Sequence, residues 1–499
     1  DGASLRKFFD RMTEGNTTLK TIHLESNRLA ADAAQAIGAA LARTTGIERL
    51  HMGENCVGSA GAQHIMAALA GNTTLLHLEL HHNDLDAACG QYIADALVAN
   101  TTLNTLDLSF NVIGDDGIVS VAVALRTNRT LATMLLHENG IALKGSEALA
   151  TALLSNRSLM GLTITEPLLP IQSLRGIDVV DEVRNFEGDQ ATDAGILDRK
   201  GIGHFDMVIV AELFKQNTRA RVLNLERNRL GVEGTECLGK ALAVNQTLTE
   251  VNIASNDINP SGIKYISGAL KTNTTLRVVD LSTNEIGAEG AKVLAEGLAA
   301  SKLEHLSLEK NKLGEKGIVA LEAALLAHPT LKRLDLLGNH LGEGGGKVIA
   351  NILGNNTCLE ELNVRFNKLG ANVPLICEAL KTNSTLHTLV LGKNEIDDET
   401  AEVVAEMIAV NTGLLHLDLQ NNSIENEGFA KLGLALKKNN SLEELNFKFN
   451  HIGYTGCIAL AEGLKVNTSV KVVVLQDNFL DDTAMIALEN ATSEVEFIF

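Results

Sequence analysis

Leu276-Arg277-Val278-Val279-Asp280-Leu281-Ser282-Thr283-Asn284-Glu285-Ile286-Gly287 is the stretch that decides the fold. Leu276, Val279 and Leu281 alternate locally, as on a strand with one buried face, and Asn284 follows at a fixed offset. Downstream, Val293, Leu294 and Leu298 stand at helical spacing. The frame Leu-x-x-Leu-x-Leu-x-x-Asn recurs with its Asn at Asn27, Asn55, Asn83, Asn111 and Asn139, then Asn228, Asn256, Asn284, Asn311, Asn339, Asn367, Asn394, Asn422, Asn450 and Asn478. Within each of these two runs the steps are 28 residues, apart from two of 27. One strand-helix unit cannot bury its own apolar side, so units must stack, with a parallel sheet inside and helices outside. Helices are wider than the ~4.8 Å strand spacing, so the stack should curve. The expectation is an α/β solenoid, a horseshoe of 28-residue repeats.

The recurring Asn has a structural explanation. The chain turns out of the strand there, and a side-chain amide can bond the turns on either side, each bond contributing about 1 kcal/mol net. The Asn-Thr-Thr before many strands is expected to close the helix in the left-handed geometry of a C-terminal cap. With segments such as Asn72-Thr73-Thr74-Leu75 and Asn284-Glu285-Ile286-Gly287, the unit resembles the ribonuclease-inhibitor class of leucine-rich repeats. That class includes ribonuclease inhibitor, the Ran GTPase-activating protein, the C-terminal half of tropomodulin and the repeat arrays of NOD-like receptors. The resemblance covers nearly the whole chain and implies the fold. It implies little about activity, because these relatives bind unrelated partners.

The period breaks once. Asn139 to Asn228 spans 89 residues, and stepping 28 inward from each end lands on Pro167 and Lys200. Both are expected to replace the ladder Asn in degenerate repeats. Residues 1–167 then form an N-terminal repeat block, 168–199 an irregular insertion, and 200–499 a C-terminal block of one continuous solenoid. The insertion, with Pro170, Asp178, Asp181, Glu182, Glu187 and Asp189, reads either as a bulge or as a docking loop. At the ends, Leu5, Phe8, Phe9 and Met12 suggest a helix before the first strand, and Val495–Phe499 a closing strand after a helix around 484–488.

Composition narrows the function. Hydrophobic residues make up 45% and aromatics only 3% of 499 residues, so aliphatic side chains must build the core. The formal charge of −20 repels phosphate backbones and anionic lipid, which argues against nucleic acid and membrane partners. Cys56, Cys89, Cys237, Cys358, Cys377 and Cys457 lack any C-x-x-C spacing, so neither a zinc cluster nor a disulfide framework is indicated. A reduced, cytoplasmic setting follows, with the cytoskeleton or cilium as its narrowest guess. The chain opens at Asp1 rather than Met, which leaves a preceding targeting segment open.

Several motifs dissolve into the repeat. Gly342-Glu343-Gly344-Gly345-Gly346-Lys347 invites a phosphate-loop reading, but Leu341 stands where the first Gly is needed and Val348 replaces the hydroxyl residue. The thirteen Asn-x-Ser/Thr sequons mostly belong to the repeated turn. No nucleophile elbow or H-E-x-x-H occurs, so no catalytic residue, cofactor or metal is assigned.

Two patches stand out where the repeat exposes its inner face. His23, His51, His77, Glu79, His81, His82 and His137 gather six of the fourteen histidines in the first units. His23, His51 and Glu79 should form a row across adjacent strands, and imidazole with carboxylate suits zinc. No further ligand spacing supports a metal there, so a solvated, titrating protein-binding patch is the preferred reading. The second patch carries Arg365, Phe366, Lys393, Lys448 and Phe449, and exposed aromatic and Arg side chains are favoured interface anchors. The plainer account of both is drift between repeats. The function expected is a non-catalytic scaffold for other proteins, a subunit of a larger assembly of unspecified oligomeric state. A GTPase-activating protein of the Ran type and a receptor's sensing array are the alternatives, though no segment reproduces the former's Arg-bearing loop.

Overall fold

A computed structural model describes residues 2–13, 18–165, 168–171 and 197–499. The chain forms two compact units, Asp1–Leu248 and Thr249–Phe499. In both, the alternation seen in the sequence becomes strands of mostly three residues that bury the central side chain and leave the flanking two partly open. The central Leu78, Val279 and Leu417 are each 2% exposed or less, and they pack against the helical layer.

In the first unit, Thr21–His23, Arg49–His51, His77–Glu79, Thr105–Asp107, Thr133–Leu135 and Gly161–Thr163 pair in sequence order, all parallel. The expectation of parallel strands fails at one place. Leu169–Pro170 runs antiparallel to Gly161–Thr163, since the few residues between them are too short for the crossover that a parallel neighbour requires. In the second unit the strands from Glu250–Asn252 to Glu496–Ile498 are parallel throughout and in sequence order. The terminal helix Gly2–Thr13 and the closing strand stand where the sequence suggests.

The ladder Asn satisfies turns that are otherwise sealed from water. Asn284 Oδ1 accepts from the backbone N–H of Asn256 at 2.9 Å and of Ile258 at 3.0 Å. Its Nδ2 donates to the carbonyls of Ile253, Leu281 and Ser282. The backbone residue just before the ladder Asn is left-handed along the array, with Ser26, Glu54, His82, Phe110, Thr283, Lys310, Phe366, Lys393 and Phe449 at φ between 51° and 57°. Only Gly338, at φ 67°, meets that demand with the residue that adopts it without strain.

The Asn-Thr-Thr turn departs from expectation. Asn72 and Asn100 are extended (φ −77° and −76°) rather than left-handed. The side chain, not the backbone, does the capping. Asn100 Oδ1 accepts from the N–H of Thr102 and Leu103, while Nδ2 donates to the carbonyls of Leu69 and Asn72 one repeat earlier. A second amide ladder therefore runs along the other end of the strands through Asn72, Asn100, Asn128 and Asn156.

At the break in the period, Pro167 and most of the 168–199 insertion, including Asp178 to Asp189, lie outside the described residues. Lys200 does occupy a ladder position, since its N–H and that of Ile202 donate to Asn228 Oδ1 at 3.1 and 2.9 Å. The helices Leu143–Ser155 and His204–Gln216, which flank the insertion, are direct neighbours. Thr165 donates to Asp206 Oδ2 across the same gap at 2.6 Å. No helix of the structure, among the described residues, is long and apolar enough to cross a membrane.

Candidate functional site

On the first unit the histidines separate into groups. His23 and His51 are register partners, and their rings stack at 4.5 Å with a 7° tilt. His23 Nδ1 lies 3.0 Å from Glu25 Oε1, and His51 Nδ1 lies 2.7 Å from Glu79 Oε2 and 3.9 Å from Glu25. Burial works to raise the Glu25 carboxyl, but the His23 hydrogen bond, its own backbone N–H and the two imidazoles together hold it below its ordinary value. His77 is the register partner of Arg49, and its imidazole is pushed below the usual range by burial first and by the Arg49 charge second.

Farther along, the His81 ring closes over Gly53, where any Cβ would come within 2.1 Å of its Nε2. Its Nδ1 is 3.5 Å from Asp107. His82 stacks on Phe110 at 4.3 Å, and Phe110 meets His137 edge-on at 5.0 Å. His137 Nδ1 is in turn 3.1 Å from Thr163 Oγ1. The seven residues singled out in this block thus fall into an imidazole–carboxylate cluster, an aromatic strip that His81 meets edge-on through His82 at 6.1 Å, and His77 beside Arg49. Phe110, 42% exposed, is the member that sequence reading passed over. Its place immediately before Asn111, matching Phe366 before Asn367, was the available signal.

On the second unit the chosen residues form two pairs. Lys393 Nζ sits 4.1 Å above the Phe366 ring, and Lys448 Nζ is 5.0 Å from that of Phe449. Arg365 is half-buried beside Phe366. Three repeats separate the two phenylalanines, or roughly 14 Å at the usual strand spacing. Between and beyond them is a hollow of ≈ 280 Å³ on the strand face, lined among others by Val390, Asp418, Asn446 and Val474. Val390 and Val474 stand in register with Asp418 and Asn446, so the lining there is part apolar and part polar. Phe479, 70% exposed and stacked on His451, was also missed. A larger groove of ≈ 550 Å³ lies among the helices Leu143–Ser155, His204–Gln216 and Gly231–Leu242. The charges that line it include the ion pairs Lys215–Glu212 and Lys240–Glu236, so it has no evident ligand preference.

The six cysteines are free thiols, and burial pushes Cys89, Cys377 and Cys457 up to about 12, which makes them inert.

Compared with known proteins, the chain matches the Leucine Rich repeat family model at residues 15–38, 99–122, 244–267, 272–295, 299–321, 327–350, 355–372, 382–405, 410–433 and 438–461. No curated protein matches it in sequence. Among solved structures, Leiomodin-1 Actin-Binding Site 2 is similar at 25% identity and a TM-score of 0.27, over 29% of this chain and 86% of that one. The mouse RP105/MD-1 complex is similar at 14% identity and a TM-score of 0.38, over 97% and 80%. Repeats of this family generally serve as interaction scaffolds without catalysis, which makes proteins the expected class of partner.

Proposed function

The chain is a leucine-rich-repeat protein, and from that premise we propose that it is a non-catalytic scaffold, of the ribonuclease-inhibitor class, that holds partner proteins on the open strand faces of both units. It would act as one component of a larger assembly. The observation that carries this reading is the left-handed residue before each ladder Asn. A left-handed backbone costs a non-Gly residue roughly 1–2 kcal/mol, yet Phe110, Phe366 and Phe449 hold that conformation and keep large side chains open to solvent or a neighbouring lysine. Neither backbone strain nor exposed apolar area helps the free fold. Both are offset when a partner buries the ring, and aromatic anchors are where binding energy concentrates.

The test is native affinity purification with the wild type, followed by affinity measurement with a His82→Ala/Phe110→Ala variant and a Phe366→Ala/Phe449→Ala variant. At least one variant should weaken a complex while melting like the wild type. If neither does, the strand faces are not the binding surface, and the outer helices or the 168–199 stretch become the better candidates.

A further inference from the structure

We propose that His23, Glu25 and His51 form a binding site for a divalent transition-metal ion of the zinc type, which ties the edge strand Thr21–His23 to Arg49–His51. One ligand atom from each of the three lies within 4.8 Å of the others. Tetrahedral ligands at ~2.0–2.1 Å from zinc stand about 3.3 Å apart. The His23 Nδ1–Glu25 and His51 Nδ1–Glu25 distances, 3.0 and 3.9 Å, bracket that value. The nitrogen lone pairs lie in the ring planes, so the His23 and His51 rings, stacked at 4.5 Å with a 7° tilt, must rotate out of that stack for both Nδ1 atoms to converge on the ion. Glu79, 2.7 Å from His51 Nδ1, can turn inward as a fourth ligand or leave the position open to water.

The chemistry of the donor set selects the ion. Two imidazoles and a carboxylate suit zinc, copper, nickel or cobalt, whereas calcium and magnesium require oxygen cages. The −20 net charge favours cation binding generally. An ordinary ion pair looks different. His416 and Glu444 are also register partners, with His416 Nδ1 3.0 Å from the carboxylate, but among the described residues no further ligand completes a cluster there. The location also gives the ion something to do. Among the described residues Thr21–His23 pairs with one strand, Arg49–His51, and Asn27 is solvent-exposed. An ion bridging these two strands adds a link between them.

The experiment titrates zinc into the full chain, stripped of metal, in a Cys56→Ser background so that the exposed thiol does not compete. Wild type should bind a single ion saturably and melt at higher temperature with it, and calcium or magnesium should do neither. His23→Gln/His51→Gln should lose affinity by at least the ~10–100-fold typical of damage to a metal site, while His416→Gln should not. Should the double variant melt abnormally without metal, Glu25→Gln removes the oxygen ligand and leaves the ring stack. Cobalt should give the absorption of a nitrogen–oxygen site rather than thiolate charge transfer. Zinc affinity unchanged in both His23→Gln/His51→Gln and Glu25→Gln, no saturable binding, or thiolate-type cobalt spectra would each overturn the assignment. Metal binding and partner binding are read separately, so either proposal can fail alone.

Discussion

At the last position of successive strands the N-terminal unit sets His23, His51, Glu79 and Asp107 side by side, whereas the C-terminal unit sets Asp335 against Asn363 and Asp418 against Asn446. In the second arrangement each amide donates to its carboxylate, at 2.9 and 2.8 Å. In the first, imidazoles and carboxylates face one another across the strands and are able to take up protons, metal or a partner's charge. The backbone beneath is the same. The difference teaches that the Asn ladders and the central strand residue carry the fold, which frees the flanking positions to diverge.

If the ladders carry the fold, ladder substitutions should cost both units alike, and this is the largest effect expected. Asn83→Ala and Asn284→Ala each leave several buried backbone groups without partners, at about 1–3 kcal/mol for each such group. Asn27, on the exposed first rung, should cost much less, because water replaces it. Denaturant unfolding measures all three. Equal losses at Asn27 and Asn284 would mean that burial does not set the cost.

The open faces should respond differently. Phe366→Ala/Phe449→Ala is expected to weaken a complex on the second unit by about 2 kcal/mol, with little change in complexes that use the first. His82→Ala/Phe110→Ala should do the reverse. Titration calorimetry with an identified partner checks this, and a partner equally sensitive to both pairs would erase the distinction between the faces.

A smaller, pH-dependent difference comes from the second amide ladder. In the C-terminal unit Ser301 and His328 interrupt it. His328 mimics an Asn: its Nδ1 accepts from the N–H of Thr330 and Leu331, and its Nε2 contacts Ser301 Oγ at 3.0 Å. Burial, and secondarily the Lys302 charge, depress its imidazole despite a backbone hydrogen bond to Leu298 that works the other way. The unfolded chain then binds the proton first. Stability should be full above the ordinary histidine range and fall as pH drops from there through the lowered folded value. His328→Asn should flatten that part of the thermal-melt profile. A profile with the same slope in wild type and variant would assign the loss to other histidines, such as His305.

The smallest effect concerns backbone strain. Thr283, β-branched and at φ 54°, should gain up to about 1 kcal/mol on Thr283→Gly, and Gly338→Ala should lose a similar amount. Thermal melts that move in the opposite directions would show that contacts of the Thr283 side chain outweigh its strain.

Much of this was legible in the sequence because it is periodic. A buried side chain every 28 residues leaves the same trace in each unit, so strands, helices, the ladder Asn and even the Lys200 substitute could be placed. What lacked a trace was conformation. Positions before the ladder Asn carry Ser, Glu, His, Phe, Arg, Thr, Lys, Asn or Asp and only once Gly, so their left-handed backbone is invisible in composition. Asn72 was misjudged for the converse reason, since Asn tolerates left-handed geometry but here caps with its side chain. The antiparallel pairing of Leu169–Pro170 likewise has no signature in the residue pattern.

The candidate sites divide along the same line. By itself the sequence determined which residues share the open face, because a period-2 strand inside a 28-residue repeat puts His23, His51 and Glu79 in one row. Only the tertiary structure decided which of them meet. Glu25 joins that row because its carboxylate reaches back to His23, and Phe110 meets both His82, left-handed like itself on the adjacent repeat, and His137, which is not left-handed. Such meetings depend on side-chain rotamers and on φ at a single residue, and neither is set by the hydrophobic period that determines the fold.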